Sequence, residues 1–203
     1  MQTGGIVLCG GESRRMGRPK AWLPVGPEAM LQRVVRIVGE VVAPVVVVGA
    51  PQQELPELPP EVRLVRDARR GRGPLQGLAA GLGALEPPVE AAYVSGCDVP
   101  LLRPAFVRHV VESLGDADVG VPYTDGHYHP LAAVYRTRIL AEVERLLAAD
   151  RLRPFFLFEA AQVRTLGAEE LCRVDPGLDS LRNVNTREDY LAALRDLGIE
   201  PGD

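Results

Sequence analysis

Unbroken apolar runs constrain the fold more than any other feature of this sequence. GIVLCG predicts a strand over residues 5–9, PVVVVGA and AAYVSGCDV predict two more, and VRLVRD predicts a shorter one over 62–67. Apolar residues that do not alternate with polar ones are typical of strands buried on both faces. The runs therefore predict a mainly parallel sheet with helices on both sides.

Segments with helical periodicity alternate with these strands. Residues 28–41 place Leu31, Val34 and Val38 on one helix face, and GPLQGLAAGLGAL, PAFVRHVVESL, RILAEVERLLAAD and TREDYLAALRDLG also predict helices. ADVGVPY and LAAVY predict two further strands. This alternation indicates the α/β class, as a three-layer α/β/α sandwich with a mainly parallel, Rossmann-like sheet. Because no segment resembles a linker, we expect a single domain over 1–203.

Charge and cysteine content narrow the classes of function. The formal net charge is −4, so no general basic field favours a nucleic acid or a membrane surface as partner. The first residues, MQTGGIVLCGG, lack the features of a secretory leader. Cys9, Cys97 and Cys172 are widely spaced and odd in number, which suits free thiols in a reducing compartment. We expect a cytoplasmic protein that binds neither nucleic acid nor membrane.

Glycines and carboxylates stand where the predicted strands end. Gly10 and Gly11 follow the first strand, Asp67 closes the third and Asp98 closes the fourth. In open α/β sheets, ligands bind beyond the carboxyl ends of the strands, near a reversal of strand order. The sequence therefore predicts that these residues border a ligand site.

The segment LCGGESRRMGRPK combines a glycine pair with several cations. It holds Arg14, Arg15 and Lys20, and Lys20 is the only lysine in the chain. Glycines let backbone N–H groups approach an anion closely, so the segment predicts a triphosphate-binding loop. A solvated run of surface charge is the alternative interpretation. The segment matches neither the P-loop, G-x-x-x-x-G-K-S/T, nor the dinucleotide fingerprint, G-x-G-x-x-G.

The same segment resembles the signature L-A-G-G-x-x-x-R-M-G-x-x-K of nucleotidyltransferases that share the sugar-nucleotide transferase fold. The segments DARRGRGPLQGLAAGL, GCDVPLL, YHPLAAVY and NVNTREDY resemble, in order, further motifs of one branch, the molybdenum cofactor guanylyltransferases or molybdopterin-guanine dinucleotide synthases. The resemblance spans roughly residues 4 to 195. It implies an enzyme that transfers GMP from GTP to molybdopterin and releases pyrophosphate, with Mg²⁺ as cofactor.

The resemblance implies roles for residues of the first loop. Leu8, Cys9 and Gly10 would contact GTP, while Lys20 and Arg15 would act in catalysis by neutralising phosphate charge. Cys9 stands where the motif usually has alanine. Because cysteine is small and apolar, this change does not imply a catalytic thiol.

The resemblance also implies roles for two strand-end carboxylates. Asp98 would bind the Mg²⁺ that accompanies GTP and act in catalysis, and Asp67 would contact GTP on its guanine or ribose side. For both residues a simple turn role remains open. The family often places an asparagine after the second strand, where this chain has Gly49 and Ala50, so a side-chain contact from that loop is in doubt.

The acceptor side is predicted from three polar residues. His129, Asn183 and Asn185 would contact molybdopterin, and the two asparagines are the only ones in the chain. An amide both donates and accepts, which suits a pterin ring or the shell of a metal ion near Asp98. Local turn chemistry for the asparagines and an ordinary surface role for His129 are the alternatives.

Several functions remain open at this stage. A molybdopterin cytidylyltransferase, a sugar-phosphate nucleotidylyltransferase or a non-catalytic nucleotide-binding module would each keep the first loop. The expected partners are GTP and molybdopterin, and transient contacts with cofactor-delivery proteins or apo-molybdoenzymes are also considered.

Overall fold

A computed structural model of the chain describes residues 1–10, 19–67 and 71–200. These residues form ten strands and seven α-helices. The strands are β1 (Thr3–Leu8), β2 (Pro24–Val25), β3 (Glu28–Ala29), β4 (Val45–Gly49), β5 (Arg63–Arg66), β6 (Ala91–Gly96), β7 (Val119–Thr124), β8 (His127–Tyr128), β9 (Ala132–Arg136) and β10 (Val163–Gly167). The helices are α1 (Met30–Gly39), α2 (Gly73–Ala84), α3 (Pro104–Glu112), α4 (Leu140–Ala148), α5 (Phe155–Ala160), α6 (Ala168–Leu171) and α7 (Arg187–Asp196).

The main sheet runs in the order β10-β7-β9-β6-β1-β4-β5, and β8 pairs with β7. β1 lies parallel to β4 on one side and parallel to β6 on the other. β9 is antiparallel to both of its neighbours, β6 and β7. The chain leaves β1 towards β4 and β5 and later returns to β6 on the opposite side of β1. The carboxyl ends of β1 and β6 therefore meet where the strand order reverses, which is where α/β sheets bind ligands.

Two apolar clusters cover the two faces of the sheet. One includes Val35 and Val38 of α1 and Phe106 of α3, and the other includes Leu78 of α2 and Leu146 of α4. Because each cluster also contains strand residues, the sheet is buried between two helical layers. This confirms the predicted three-layer α/β/α class with a mainly parallel sheet.

Helix α2 packs closely on β1 because glycines face the strand. A Cβ built on Gly81 would lie 2.6 Å from Ile6 Cγ2, and one built on Gly77 would lie 3.2 Å from Leu8 Cδ1. The low helix propensity of glycine is thus offset by packing at these positions. The close approach holds the last residues of β1 against the helical layer.

A third apolar cluster joins the segment before α1 to the last helix. It contains Val25, Met30, Val184 and Leu194. Helix α7 begins with Thr186 as N-cap, as predicted. The cluster brings the segment after Lys20 and the segment before α7 to the same end of the sheet.

Several boundaries and elements differ from the prediction. The helix predicted over 28–41 begins at Met30, because Glu28–Ala29 pairs instead with Pro24–Val25 as a short hairpin. The strand predicted over 5–9 runs over Thr3–Leu8. The edge strand Val163–Gly167 escaped prediction because Leu166 is its only fully buried residue, so it carries no apolar run.

Within 1–10, 19–67 and 71–200, none of the helices combines the length and the apolar character required to cross a bilayer.

Candidate functional site

The ends of β1 and β6 lie side by side at the reversal of strand order. The ladder continues beyond the strands, since Cys97 N donates to Leu8 O at 3.0 Å and Cys9 N donates to Val48 O at 2.8 Å. Leu8 and Cys9 are buried, whereas the following Gly10 is exposed. Leu8 and Cys9 therefore lie beneath the site, and Gly10 is the first exposed residue after β1.

A short 3₁₀ turn, Lys20–Trp22, presents Lys20 at this edge of the sheet. Leu23 N donates to Lys20 O at 3.1 Å and closes the turn. Ala21 and Leu23 are buried beneath it. The apolar residues after Lys20 therefore anchor the turn, while the lysine side chain extends towards β6.

Lys20, Asp98, Asn183 and Asn185 form one hydrogen-bonded group, called here the Asp98 cluster. Lys20 Nζ donates to Asp98 Oδ2 at 2.8 Å and to Asn185 Oδ1 at 2.8 Å. Asn183 Nδ2 donates to Asp98 Oδ1 at 3.0 Å. Four of the residues selected from sequence thus lie together, although Lys20 and Asn185 are 165 positions apart in the chain.

The asparagines flank Val184 in a segment bordered by Arg182 and Thr186, both of which have extended backbone angles. Val184 N donates to Asp98 O at 2.8 Å, and its side chain is buried in the third apolar cluster. Successive side chains of an extended chain point to opposite sides. Because Val184 faces the core, Asn183 and Asn185 face the other way, towards Lys20 and Asp98.

The first turn of α7 fixes this segment from its other end. Asn185 N and Thr186 N both donate to Asp189 Oδ2 at 2.9 Å, and Asp189 N donates to Thr186 Oγ1 at 3.1 Å. These backbone hydrogen bonds lower the pKa of Asp189, so its carboxylate stays charged and keeps the cap closed. The cap holds the backbone of Asn185 in place.

The partly buried environment of the Lys20–Asp98 ion pair strengthens the attraction between its two charges. Both side chains are 18% exposed, so the pair is only partly screened by water. A lysine ammonium carries three donors, and the two hydrogen bonds to Asp98 and Asn185 aim it along the edge of the sheet. This arrangement can hold the phosphates of a nucleotide beside a carboxylate able to bind a cation.

Gly96, the last residue of β6, lies against the Asp98 carboxylate. A Cβ built on Gly96 would be 2.7 Å from Asp98 Oδ1 and 3.9 Å from Leu131 Cδ1. A side chain at position 96 would therefore displace the carboxylate. The absence of a Cβ at this position allows Asp98 to turn back over the strand end.

Two buried thiols lie directly beneath the site. Cys9 and Cys97 follow the adjacent strands β1 and β6 and are in hydrogen-bonding contact. This hydrogen bond, together with burial, raises the pKa of the Cys97 thiol. A thiol kept protonated is a poor nucleophile, so Cys97 is not suited to nucleophilic catalysis. The expectation that Cys9 is not a catalytic thiol stays a prediction.

His129 borders the site on the side of β7 and β9. Its Nε2 atom lies 2.8 Å from Thr124 Oγ1, and its backbone N donates to Pro122 O at 2.9 Å. Burial, with a smaller contribution from His127, lowers the pKa of His129. His129 is therefore a neutral group next to the strand end and is not part of the Asp98 cluster.

Asp67 lies apart from the Asp98 cluster. Asp67 follows β5, with its backbone N donating to Gly49 O at 2.8 Å. Because β4 separates β5 from β1, Asp67 stands about 10 Å along the sheet from the end of β1. Arg15 and most of the first loop lie outside the described residues, so their predicted roles stay predictions.

Sequence reasoning missed Gln53. Its Nε2 atom donates to Cys9 O at 2.8 Å, so the loop after β4 does send a side chain to the first loop. The prediction considered only the position directly after the strand, where Gly49 and Ala50 stand. A search for any amide in the same loop would have found this residue.

Comparisons with known proteins place this chain in a family. Residues 5–164 match the family of MobA-like NTP transferase domains. A probable molybdenum cofactor guanylyltransferase of Mycobacterium avium is 39% identical over 197 residues, which cover 95% of each chain. One of Pelotomaculum thermopropionicum is 34% identical over 194 residues, covering 95% of this chain and 92% of the relative.

A solved structure has the same fold. Molybdopterin-guanine dinucleotide biosynthesis protein A of Archaeoglobus fulgidus superposes with a TM-score of 0.78 at 23% identity, covering 96% of this chain and 98% of the other. The family match and the two relatives agree with the motifs predicted from sequence. The chain therefore belongs to the MobA-like NTP transferases and is a nucleotidyltransferase of the molybdenum cofactor guanylyltransferase group.

Proposed function

We propose that this enzyme transfers GMP from GTP to molybdopterin, with Mg²⁺, and releases pyrophosphate. One observation carries the proposal: Lys20, Asp98 and Asn185 meet at the reversal of strand order, with contacts of 2.8 Å from Lys20 Nζ to each oxygen. The names of the curated relatives support guanine as the base and molybdenum cofactor as the acceptor.

The proposed reaction is a displacement at the α-phosphorus of GTP. An oxygen of the terminal phosphate of molybdopterin forms a bond to this phosphorus. The bond between the α-phosphorus and the oxygen bridging to the β-phosphorus breaks, and its electron pair leaves with pyrophosphate. Because a phosphate is already an anionic nucleophile near neutral pH, the reaction needs no general base from the protein.

The protein then contributes positioning and charge neutralisation. Lys20 would bind the phosphate oxygens, since its ammonium is compact and can follow charge as it moves to the leaving group. Asn185 keeps this ammonium at the edge of the sheet through its 2.8 Å hydrogen bond. Gly10 and Arg15 would extend the phosphate site along the first loop.

The donor set around Asp98 fits Mg²⁺ that arrives with the nucleotide. Mg²⁺ usually takes one or two protein carboxylates together with substrate phosphates and water. In the part of the chain that the structure describes, no group of three or more His, Cys, Asp or Glu side chains could hold a metal ion. Asp98 would therefore hold the ion only together with the phosphates of the nucleotide. When bound, the ion would neutralise phosphate charge.

The contacts of the two asparagines in the structure change the role that we propose for them. Asn183 and Asn185 were predicted to contact molybdopterin, yet each has a hydrogen bond within the Asp98 cluster. We assign them first to the positioning of Asp98 and Lys20. His129 and Asp67 keep their proposed contacts, with molybdopterin and with GTP respectively.

Nucleotide incorporation into molybdopterin tests the proposal. The purified protein would be incubated with molybdopterin, Mg²⁺ and each of the four labelled nucleoside triphosphates in turn. The proposal expects label transfer from GTP with release of one pyrophosphate per product, and loss of transfer when Mg²⁺ is chelated. Preferred transfer from CTP would instead favour the cytidylyltransferase. Pyrophosphate release that ignores molybdopterin and responds to a sugar phosphate would contradict the proposed acceptor.

A further inference from the structure

The loop after β4 contacts both stems of the predicted nucleotide loop. We call its residues 50–54 the strap. Arg66 fixes the strap to β5, because Arg66 Nη1 donates to Ala50 O at 3.1 Å and to Gln53 O at 2.8 Å. The strap is therefore held by a side chain of the sheet itself and has a defined position at the edge of the site.

The side chain of Gln53 joins the strap to the first stem. Gln53 Oε1 accepts from Ala50 N at 3.0 Å, and Gln53 Nε2 donates to Cys9 O at 2.8 Å. Gln53 Nε2 also contacts Cys9 Sγ at 3.7 Å. Because both ends of the amide are engaged in this way, Gln53 is suited to holding Cys9 rather than to contacting a ligand.

The neighbouring residue joins the strap to the second stem. Glu54 O accepts from Trp22 Nε1 at 3.1 Å, and Trp22 stands two positions after Lys20. Gln53 and Glu54 thus hold Cys9 on one stem and Trp22 on the other. Through these contacts the strap fixes the position of Gly10 relative to that of Lys20. These two residues stand at the two ends of the predicted loop.

The hydrogen bond to Cys9 O has a direct consequence for Gly10. Across a trans peptide bond the C=O of one residue and the N–H of the next point in opposite directions. Holding Cys9 O towards Gln53 therefore turns Gly10 N–H away from the strap. Gly10 is exposed, and among the described residues beyond its chain neighbours none has an atom within 4 Å of a Cβ built on it.

We propose that Gln53 is a positioning residue that orients the Cys9–Gly10 peptide for binding the nucleoside triphosphate. The inference rests on the proposed function, because it takes the first loop as the nucleotide site.

A pair of adjacent glutamines allows a matched test. Gln53→Leu removes the amide, and Gln52→Leu makes the same change at an exposed neighbour in the same strap. Gln53→Glu keeps an oxygen that can accept from Ala50 N but replaces the donor to Cys9 O. GTP affinity would be measured by calorimetry with Mg²⁺, and KM for GTP and for molybdopterin by the transfer assay.

We expect Gln53→Leu and Gln53→Glu to weaken GTP binding by about five- to thirty-fold, the effect of one or two lost hydrogen bonds in a partly buried site. KM for GTP should rise by the same factor, while KM for molybdopterin stays near the wild-type value. The melting temperature should fall by a few degrees at most, because the variants also lose hydrogen bonds within the fold. Gln52→Leu should match the wild type in every measurement.

Two results would overturn the positioning role. One is wild-type GTP affinity in Gln53→Leu while the wild-type protein transfers GMP. The other is an equal rise of both KM values, which would indicate a merely structural contact. Failure of the proposed function differs from both: the wild-type protein would then bind GTP, with Gln53→Leu still weaker, but would transfer nothing to molybdopterin. A wild-type protein that binds no GTP contradicts both proposals.

Discussion

The side-chain amide of Asn185 accepts a hydrogen bond from Lys20 Nζ at 2.8 Å across 165 positions of sequence. The only lysine of the chain therefore meets one of its only two asparagines, beside Asp98. The contact links the segment that follows the predicted nucleotide loop to the segment that precedes the last helix.

We expect Lys20→Ala to lower kcat by about 10²- to 10³-fold, the usual effect of removing a group that stabilises transition-state charge. Lys20→Arg should also lose activity, by at least about tenfold, because a guanidinium is larger and planar and spreads its charge, whereas the ammonium is a compact point charge. Steady-state transfer assays would measure both. Wild-type kcat in Lys20→Arg would show that any cation serves at this position.

The asparagine variants separate positioning from acceptor binding. Asn185→Ala and Asn183→Ala should each lower kcat by about five- to thirty-fold, since each loses a hydrogen bond to a group of the Asp98 cluster. KM for molybdopterin should change little. A rise confined to KM for molybdopterin, with kcat retained, would instead support the direct contact predicted from sequence. Exposed Arg187, on the first turn of α7, offers Arg187→Ala as a control that keeps activity.

Gly96→Ala should damage activity more than stability. The added Cβ would come within 2.7 Å of Asp98 Oδ1, and the carboxylate can rotate away at small cost to the fold. A displacement of about 1 Å in a catalytic group can reduce the rate by about 10²-fold. Transfer assays and thermal unfolding measure the two effects separately.

Gly83→Ala is the matched control for this change. Among the described residues, its Cβ would come within 4 Å of Leu140 Cδ2 alone, at an ordinary distance of 3.8 Å, and alanine favours the helix. Gly83→Ala should therefore keep activity and melt at or slightly above the wild-type temperature. Full activity in Gly96→Ala would contradict the proposed role of the Asp98 carboxylate.

His129 should make the free energy of unfolding depend on pH. Burial lowers its pKa below the ordinary value of 6.5, so below that pH the unfolded chain binds more protons than the folded protein. The stabilising contribution is therefore present above pH 6.5 and is lost as the pH falls through the lowered pKa of the folded protein. Urea unfolding between pH 5 and pH 8 would measure it.

The variant His129→Gln should remove part of this pH dependence, because glutamine can keep a hydrogen bond to Thr124 without taking up a proton. His127→Gln, at an exposed histidine two positions earlier, should leave most of the dependence in place. If His129→Gln shows the wild-type slope, His129 does not titrate differently in the folded and unfolded states.

The three cysteines should differ in reactivity. Cys9 and Cys97 are buried, Cys172 is partly exposed, and the hydrogen bond with Cys9 together with burial raises the pKa of Cys97. Thiolates react with aromatic disulfide reagents and thiols do not. We expect one fast-reacting thiol in the native protein and three after denaturation. Fast reaction of two or three thiols in the native protein would show that the buried thiols beneath the site readily become accessible to the reagent.

The alternation of apolar runs and helical periodicity was enough to predict the fold class, because burial on both faces leaves an unbroken apolar run in each central strand. The same reasoning could not find Val163–Gly167, an edge strand in which only Leu166 is fully buried. It also gave no direction for β9, which is set by the turn at Asp125 and Gly126, where both residues have positive φ.

By itself, the sequence determined which residues stand at strand ends and which loop carries glycines and cations, since these are local properties of the chain. Only the tertiary structure decided which of them meet. Strand order brings β6 next to β1 and leaves Asp67 two strands away, and a buried Val184 turns Asn183 and Asn185 towards Asp98. Only the tertiary structure reveals the role of Gln53 as well, because its contact with Cys9 depends on β1 and β4 being neighbours in the sheet.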